Sequence, residues 1–400
     1  MKKVLIIVYY WPPGGGAGVQ RWLKFVKYLP QFGWMPAVVT TKDGDYPAID
    51  ESLLDEIPDK IKVIRTKTPS FGQFFRTFAG KNEDVPYGSL EIKKSDNFLK
   101  KLLILFRINF IVPDARKLWN KYALKAAGKE LLSNKYEAVI TSGPPHSTHL
   151  IGLKLKKKFN INWIADFRDP WTKIDYLDRI KRLFITKFLD RKLEKSVVRG
   201  CDGIITISRK IAEDLNAGDK TDVVPNGFDP ADFKDMKKNN SKDHFNIDYF
   251  GNITIERDPS SILKAVYMLR GKGITNIRMN FRGNVSSEVR SKINELDKNS
   301  IVNIQSYIPH NEMLKEMVNS SLLLLVINNV LDNRGILTGK IYEYLTAKVP
   351  VLGLGPKNGE AANILQETET GKMFDYENIE EITDFIKEKY ENWQVGKTFP

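Results

Sequence analysis

KVLIIVYYWPPGGGAGVQRWLKFVKYLPQF, residues 3–32, is the stretch that decides the fold. Residues 3–9 read as a strand, apolar without interruption from Val4 and rich in β-branched side chains. That pattern belongs to a strand buried on both faces, as in a parallel sheet covered by helices, and not to a half-solvated strand with alternating polarity. A glycine-rich loop, Trp11 to Gly18, follows, and residues 18–32 then place apolar side chains at helical spacing. Strand, glycine loop and helix are the opening half of a βαβ unit. Glycine lets backbone amides and the positive end of the helix come close to a phosphate, so the loop reads either as an anion site or as a tight turn. The dinucleotide fingerprint is not met, because Val19 and Arg21 stand where its third glycine belongs.

The same alternation continues outward. Further strands are expected at 36–40, 61–65, 136–141, 162–167, 203–207 and 222–224, with helices at 117–133, 146–158, 176–198 and 208–216. From Pro225 to His244 the chain turns polar and reads as an interdomain linker. A second alternation follows, with strands near 246–250, 276–281, 301–305, 321–327, 350–353 and 372–374 and helices near 259–271, 286–297, 310–318, 338–347, 359–366 and 378–390. Four hundred residues exceed one ordinary core, so two doubly wound α/β domains are expected: 1–228, a linker at 229–244, 245–385, and a tail at 386–400 that returns towards the first domain. Ligands of open α/β sheets bind beyond the carboxyl ends of strands, which is where chemistry should be sought.

Several strand ends carry such residues. Ser142 to His149 (SGPPHSTH) puts His146 at a helix start and His149 one turn on, suited to proton handling or hydrogen bonding, or else to an ordinary surface position. Asp166-Phe-Arg168-Asp169 is a charged cluster that either shapes its loop as an ion pair or touches a substrate. In the second half Tyr249-Phe-Gly251-Asn252, with Arg257 just beyond, forms another strand–loop–helix anion site. Phe281-Arg282-Gly283-Asn284 repeats the layout and could line a base or ribose pocket. The segment Asp332 to Val351 presents Thr338, Gly339, Lys340 and Glu343 on the first turns of a helix. Lys340 and Glu343 lie three apart, fit for a phosphate and a ribose or for a surface ion pair.

Charge is distributed unevenly. The chain holds 62 Lys+Arg and 49 Asp+Glu, net +13, yet residues 1–230 hold 40 against 26 and residues 231–400 hold 22 against 23. Residues 93–129 concentrate ten cations against Asp96 and Asp114, interleaved with Phe98, Leu99, Leu102, Leu103, Leu105, Phe106, Ile108 and Phe110. This is the composition of an interfacial amphipathic segment, with Lys100, Lys101, Phe106 and Arg107 as its expected membrane contacts; the alternative is a helix packed on its own core. The one cysteine, Cys201, excludes an internal disulfide framework and a cysteine-based zinc site, which suits a reducing cytosol. The amino-terminal apolar run is too short for a signal peptide followed by a cleavage site, and no stretch has the length of a membrane-spanning helix.

Taken in order, VLIIVYYWPPGGGAGVQRW, ITSGPPHSTH, ADFRDPW, GIITISRKIAEDL, VVPNGFD, YFGN and TGKIYEYLTAKVPVLG resemble the family-4 retaining glycosyltransferases of the GT-B fold. The resemblance implies two Rossmann-like domains facing across a cleft, the first taking the acceptor and the second a nucleotide-sugar donor, with no metal or other cofactor. It assigns Gly15 and Gly16 to the donor diphosphate from the first domain, and Arg257 and Lys340 from the second. Asn252, Arg282 and Thr338 join the donor side, and Glu343 takes the ribose hydroxyls. His146 joins Arg257 and Lys340 as a catalytic candidate, and Arg168 and Asp169 fall to the acceptor side. Where the family carries its first glutamate, this chain has Gly335, with Asp332 nearby. The implied role is sugar transfer to a glycan or lipid-linked acceptor in envelope polysaccharide synthesis, on the cytoplasmic face of a membrane. Two other readings compete: a nucleotide-sugar epimerase of the same fold, and a non-catalytic polyanion binder, against which the absence of any nucleic-acid motif counts.

Overall fold

In a computed structural model the apolar runs pair as two separate sheets. The described residues are 1–46, 48–69, 98–173, 182–234, 236, 238, 243–306 and 308–397. Contacts divide the chain into Met1–Pro225 and Asn226–Pro400.

The first unit has seven parallel strands: β1 Lys2–Ile7, β2 Trp34–Thr41, β3 Lys62–Thr66, β4 Ala138–Gly143, β5 Asn162–Phe167, β6 Gly203–Thr206 and β7 Thr221–Val223, in spatial order 3-2-1-4-5-6-7. β1 is central, its Ile6 in register with Val38 on one side and Ile140 on the other. Alternate β1 residues enter different cores. Leu5, Ile7 and Tyr9 pack on one face with Trp163, Phe167 and Trp119, while Val4, Ile6 and Val8 pack on the other with Val38 and Leu23. Two apolar faces explain the unbroken apolar run of residues 4–9. The helices are α1 Ala17–Tyr28, α2 Phe98–Phe110, α3 Asn120–Ser133, α4 His149–Phe159, α5 Phe184–Gly200 and α6 Arg209–Leu215.

The second unit repeats the scheme with β8 Phe245–Phe250, β9 Ile277–Arg282, β10 Val302–Gln305, β11 Leu322–Val326, β12 Val351–Leu354 and β13 Gly371–Phe374, in order 10-9-8-11-12-13. Its helices are α7 Ser260–Gly271, α8 Ser287–Leu296, α9 His310–Val318, α10 Lys340–Ala347, α11 Glu360–Glu367 and α12 Ile379–Gln394. On β11, Leu322, Leu324 and Val326 enter one core and Leu323, Leu325 and Ile327 the other.

All thirteen expected strands are present among the described residues, within two residues at each end. Differences concern ends and connections. The helix expected over 18–32 stops at Tyr28, and Leu29–Phe32 continues as a 3-10 turn ending on Gly33, because Pro30 has no N–H for the helical ladder. The helix expected over 176–198 is described from Phe184 onward, residues 174–181 lying outside the described residues. Residues 93–97 of the basic segment also lie outside them, and its remainder is α2, a 3-10 turn capped by Asp114, and α3. The polar stretch read as a linker is not free along its length: Pro230–Phe233 forms a 3-10 turn, and Phe233 and Met236 pack against the second unit's core. Nor is 386–394 a tail. It is the second half of α12, and Ile386 and Tyr390 enter the core beside Phe245. No helix among the described residues is long and apolar enough to cross a membrane.

Each strand order reverses once, between β1 and β4 in the first unit and between β8 and β11 in the second. The loops after those four strands are therefore the ones splayed apart by chain topology, and a crevice opens beside them.

Candidate functional site

In the second unit β8 delivers Tyr249 to the strand end with its ring fully buried, and the chain then turns at Gly251, φ 122°. A second turn after β9, at Gly283 with φ 144°, packs directly on the first, and a Cβ on Gly283 would run into the Gly251 carbonyl. Gly251 in turn leaves room for Lys340, whose Cε and Nζ would sit 2.8 Å from a Cβ at that position. These contacts, and the positive φ, make glycine necessary at both places.

Lys340 opens α10, and its Nζ donates to the Tyr249 hydroxyl at 2.8 Å while lying 4.0 Å from the centre of the same ring. The Tyr249 hydroxyl donates to the Asn252 carbonyl at 3.0 Å. Arg257 reaches the same carbonyl from Nη1 at 3.3 Å, and its Nε donates to Asn328 Oδ1 at 2.6 Å. Two cations are thus gathered on one short loop. Burial lowers the Lys340 pKa, and the Arg257 charge adds to the effect against the opposing pull of Tyr249 and Glu343. Burial alone would raise the Tyr249 phenol, but Lys340 and Arg257 outweigh it and hold the phenol below its usual value. Such a group relaxes when an anion arrives, since a negative charge restores the favoured ionisation of a buried ammonium.

Glu343, one turn along α10, accepts from or is faced by His310 Nε2 at 2.9 Å. His310 is buried at the start of α9, so it orients the carboxylate from a second element. The hydroxyl of Thr338 is buried without a hydrogen-bond partner among the described residues, just before α10. Asn252 is exposed, and its Oδ1 accepts from the Asn284 amide at 3.3 Å. Arg282 is placed differently. Its guanidinium pairs with buried Asp248 and with Glu316 at 2.8 Å, and lies 5.3 Å from the centre of the Phe250 ring. It is thereby held among the strands, and only its backbone carbonyl meets the Gly251 turn. Gly335 ends a 3-10 turn, Asn333–Gly335, anchored by Asn333 on the Asn328 carbonyl and the Tyr376 hydroxyl.

The corresponding crevice of the first unit is built around two buried charges. Asp166, fully buried at the end of β5, accepts from Arg21 Nη2 at 3.0 Å, Trp22 Nε1 at 2.8 Å and the Ser142 hydroxyl at 2.6 Å. It ties α1 to β4 and β5. Arg168 donates from Nη1 to the Gly18 carbonyl at 2.9 Å and from Nη2 to the Pro144 carbonyl at 2.7 Å, which joins the glycine loop to the turn after β4. Asp169 acts on it electrostatically, together with Asp166. Within the glycine loop, Gly15 donates its amide to the Ala48 carbonyl at 2.9 Å, so that N–H already has a partner. Gly16 caps α1 with φ 95°, and a Cβ there would meet nothing within 4 Å.

His146 and His149 are buried, contrary to a surface helix start. The ring of His146 stacks on Trp171 at 5.2 Å between centres, and that of His149 on Phe167 at 4.5 Å. Burial, with the neighbouring Arg168, depresses the His149 pKa to about 3, and burial with His149 and Arg168 lowers His146 well below its usual value. Both are neutral at physiological pH. His149 Nδ1 pairs with the Thr141 hydroxyl at 2.9 Å, while neither ring nitrogen of His146 makes a hydrogen bond of regular geometry, although it lies near the Pro170 backbone. A neutral, buried, underused imidazole can give or take one hydrogen bond from a bound hydroxyl.

Asn328 and His310 belong to the candidate site and were not singled out from the sequence, while Tyr249 stood in the quoted Tyr249–Asn252 motif without a role of its own. Asn328 and His310 stand 71 and 33 residues from their partners, and nothing in local spacing pairs them.

The fold is shared with known proteins. A sucrose-phosphate synthase from Thermosynechococcus elongatus aligns over 100% of this chain and 92% of its own, at 13% identity and TM-score 0.62. Anabaena HepE, solved with UDP and glucose, aligns over 100% and 92%, at 14% identity and TM-score 0.62. A Listeria monocytogenes protein assigned as a UDP-N-acetylglucosamine 2-epimerase aligns over 99% and 90%, at 13% identity and a lower TM-score of 0.55. No curated protein matches the sequence significantly. Residues 88–232 match a family model described as Glycosyltransferase Family 4. The chain therefore has two parallel-sheet α/β units of the kind found in GT-B glycosyltransferases, and a glycosyltransferase family 4 match lies within the first part of it.

Proposed function

We propose that the protein is a glycosyltransferase of hexosyl type, moving a sugar with retention of configuration from a nucleotide-diphosphate sugar to a glycan or lipid-linked acceptor in cell-envelope polysaccharide synthesis. One observation carries the reading: Lys340 and Arg257 converge on the Tyr249–Asn252 turn at the reversal point of the second sheet. A leaving diphosphate gains negative charge as the glycosidic bond breaks, and two cations fixed beforehand stabilise that charge without reorganising. Glu343, oriented by His310, accepts hydrogen bonds from ribose hydroxyls. The HepE structure with UDP and glucose and the S. aureus TarM structure with UDP support the donor class.

In the first unit His146 supplies a neutral hydrogen-bonding edge to a sugar hydroxyl, since its lowered pKa suits it for hydrogen bonding and not for carrying a proton at neutral pH. The glycine loop gives backbone access at Gly16. Arg168 holds that loop in place through Gly18, so its role is positioning.

A thermal-shift screen over UDP-, GDP- and ADP-sugars tests donor binding, because a ligand of the native state raises apparent stability by mass action. Product analysis then separates the reactions. Free nucleoside diphosphate with a new glycoside supports transfer, and an isomerised nucleotide sugar supports the epimerase reading. No shift with any of them removes the donor site.

A further inference from the structure

Among the described residues, nine large apolar side chains stand exposed on two adjacent elements of the first unit. Leu183, Phe184, Ile185, Phe188 and Leu189 lie at the start of α5, and Leu102, Leu105, Phe106 and Phe110 on α2, with Phe184 at 84% and Phe110 at 68% exposure. They form one surface. Asn109 on α2 accepts the Leu183 amide on Oδ1 at 2.7 Å and the Thr186 hydroxyl on its carbonyl at 2.9 Å, and the Phe106 and Phe110 rings stack at 5.0 Å. Both helices already spend another face on the protein, through Ile104 and Ile108 of α2 and Thr186, Asp190 and Val197 of α5. Single exposed apolar residues are ordinary, whereas a contiguous group of this size marks a contact surface.

Charge identifies the partner. The exposed polar residues of α5 are Lys187, Arg191, Lys192, Lys195 and Arg199, all cationic. Both acids of that helix are turned inward: Asp190 is buried with Arg182 and Trp171, and Glu194 binds Thr172. α2 contributes Lys101 and Arg107, and its sequence holds no acid; the Lys100 side chain lies outside the described residues. Among the described residues of these two helices, apolar side chains bordered by exposed cations match a surface that is hydrocarbon beneath and anionic above.

We infer that the outer face of α2 and the first half of α5 dock on an anionic lipid surface, with Phe106, Phe110, Phe184 and Phe188 entering the interface and the α5 cations meeting the headgroup phosphates. The inference deepens the proposed function by naming the surface on which a lipid-linked acceptor is met, and rests on that reading for this purpose alone. The α5 contribution adds to the amphipathic segment recognised in the sequence, where only residues 93–129 stood out.

Sedimentation of the full chain with vesicles of phosphatidylglycerol and phosphatidylcholine, against phosphatidylcholine alone and without any sugar donor, tests it. The chain is expected to sediment with anionic vesicles and to be released by salt, as electrostatic headgroup attraction is screened. Phe184→Ser with Phe188→Ser is expected to lower partitioning at least ~tenfold, with thermal stability and the nucleotide-sugar shift unchanged. Replacing Lys187, Arg191 and Lys192 by Gln should weaken binding to anionic vesicles and reduce the salt dependence, and unchanged binding would overturn the inference. Absence of vesicle binding, or equal binding by the Phe variant, overturns the inference. Light scattering that shows a dimer broken by the same Phe substitutions overturns it too, by giving the face to a second copy. Since the nucleotide-sugar shift is read separately, loss of vesicle binding with a donor shift retained leaves the enzymatic reading intact.

Discussion

Lys340 and His149 show how burial is used in opposite ways within one chain. Lys340 is buried beside Tyr249 and Arg257, where its ammonium is disfavoured until an anion arrives. If it contacts the leaving diphosphate, Lys340→Ala should cost about 2–4 kcal/mol in kcat/KM with the fold retained, and an unchanged kcat/KM would remove it from the chemistry. His149 is buried neutral, its pKa lowered to about 3 by desolvation and Arg168. Below pH about 6.5 the unfolded chain binds a proton at this histidine that the folded chain refuses, so stability must fall as pH falls, from about 6.5 down to about 3. At pH 5 the loss from His149 alone is ~2 kcal/mol, and His146 adds to it in the same direction. Urea midpoints between pH 7 and 5 check this, and a His149→Gln variant should show a shallower fall. Residue type and position were legible here. His146, His149, Arg257, Lys340 and Glu343 all stood out as polar groups at strand or helix ends, but whether a histidine faces water or a tryptophan depends on residues such as Trp171, 25 positions away from His146.

The elements themselves followed from periodicity with little loss, because each central strand is covered on both faces and so must be apolar throughout. Turn chemistry carried less information. Gly251 and Gly283 were visible as glycines after strands, yet the reason for each is the other: their turns touch, and the Gly283 turn has no room for a methyl group beside the Gly251 carbonyl. Gly283→Ala should therefore cost roughly 2–4 kcal/mol, from positive-φ strain and the clash together, read as a lower denaturant midpoint at unchanged m-value. It should also displace Lys340 indirectly, through Gly251, and weaken the nucleotide-sugar shift. Arg282 shows what local sequence leaves out. It reads in the sequence as a donor-side residue that could line a base or ribose pocket, and the structure pairs its guanidinium with Asp248, 34 residues earlier on the neighbouring strand. The segment 93–129 was read as one amphipathic stretch, and its described part from Phe98 onward is a helix, a capped turn and a second helix, the cap being Asp114, which binds the Arg116 amide and both the amide and hydroxyl of Ser147.

For the whole molecule, two sheets with separate cores predict two units of stability. Calorimetry should resolve two transitions, and a bound nucleotide sugar should raise the one belonging to residues 226–400 first, since Lys340, Arg257 and Glu343 all lie there. A single transition raised as one would show that the units melt together. The asymmetry of charge belongs to this scale as well: the excess of cations lies before residue 230, and part of it borders the apolar face of α2 and α5. By itself the sequence determined the two-fold βαβ alternation and the thirteen strands found among the described residues, because period, length and glycine placement are local properties of the chain. Tertiary structure alone decided which polar residues are spent on the fold and which remain for chemistry. Asp166, Arg168 and Arg282 are held by partners distant in sequence, Lys340 is steadied by Tyr249, and Phe184 joins Phe110 through Asn109. A side chain's local sequence states what it can bind; only the packed chain states what has already bound it.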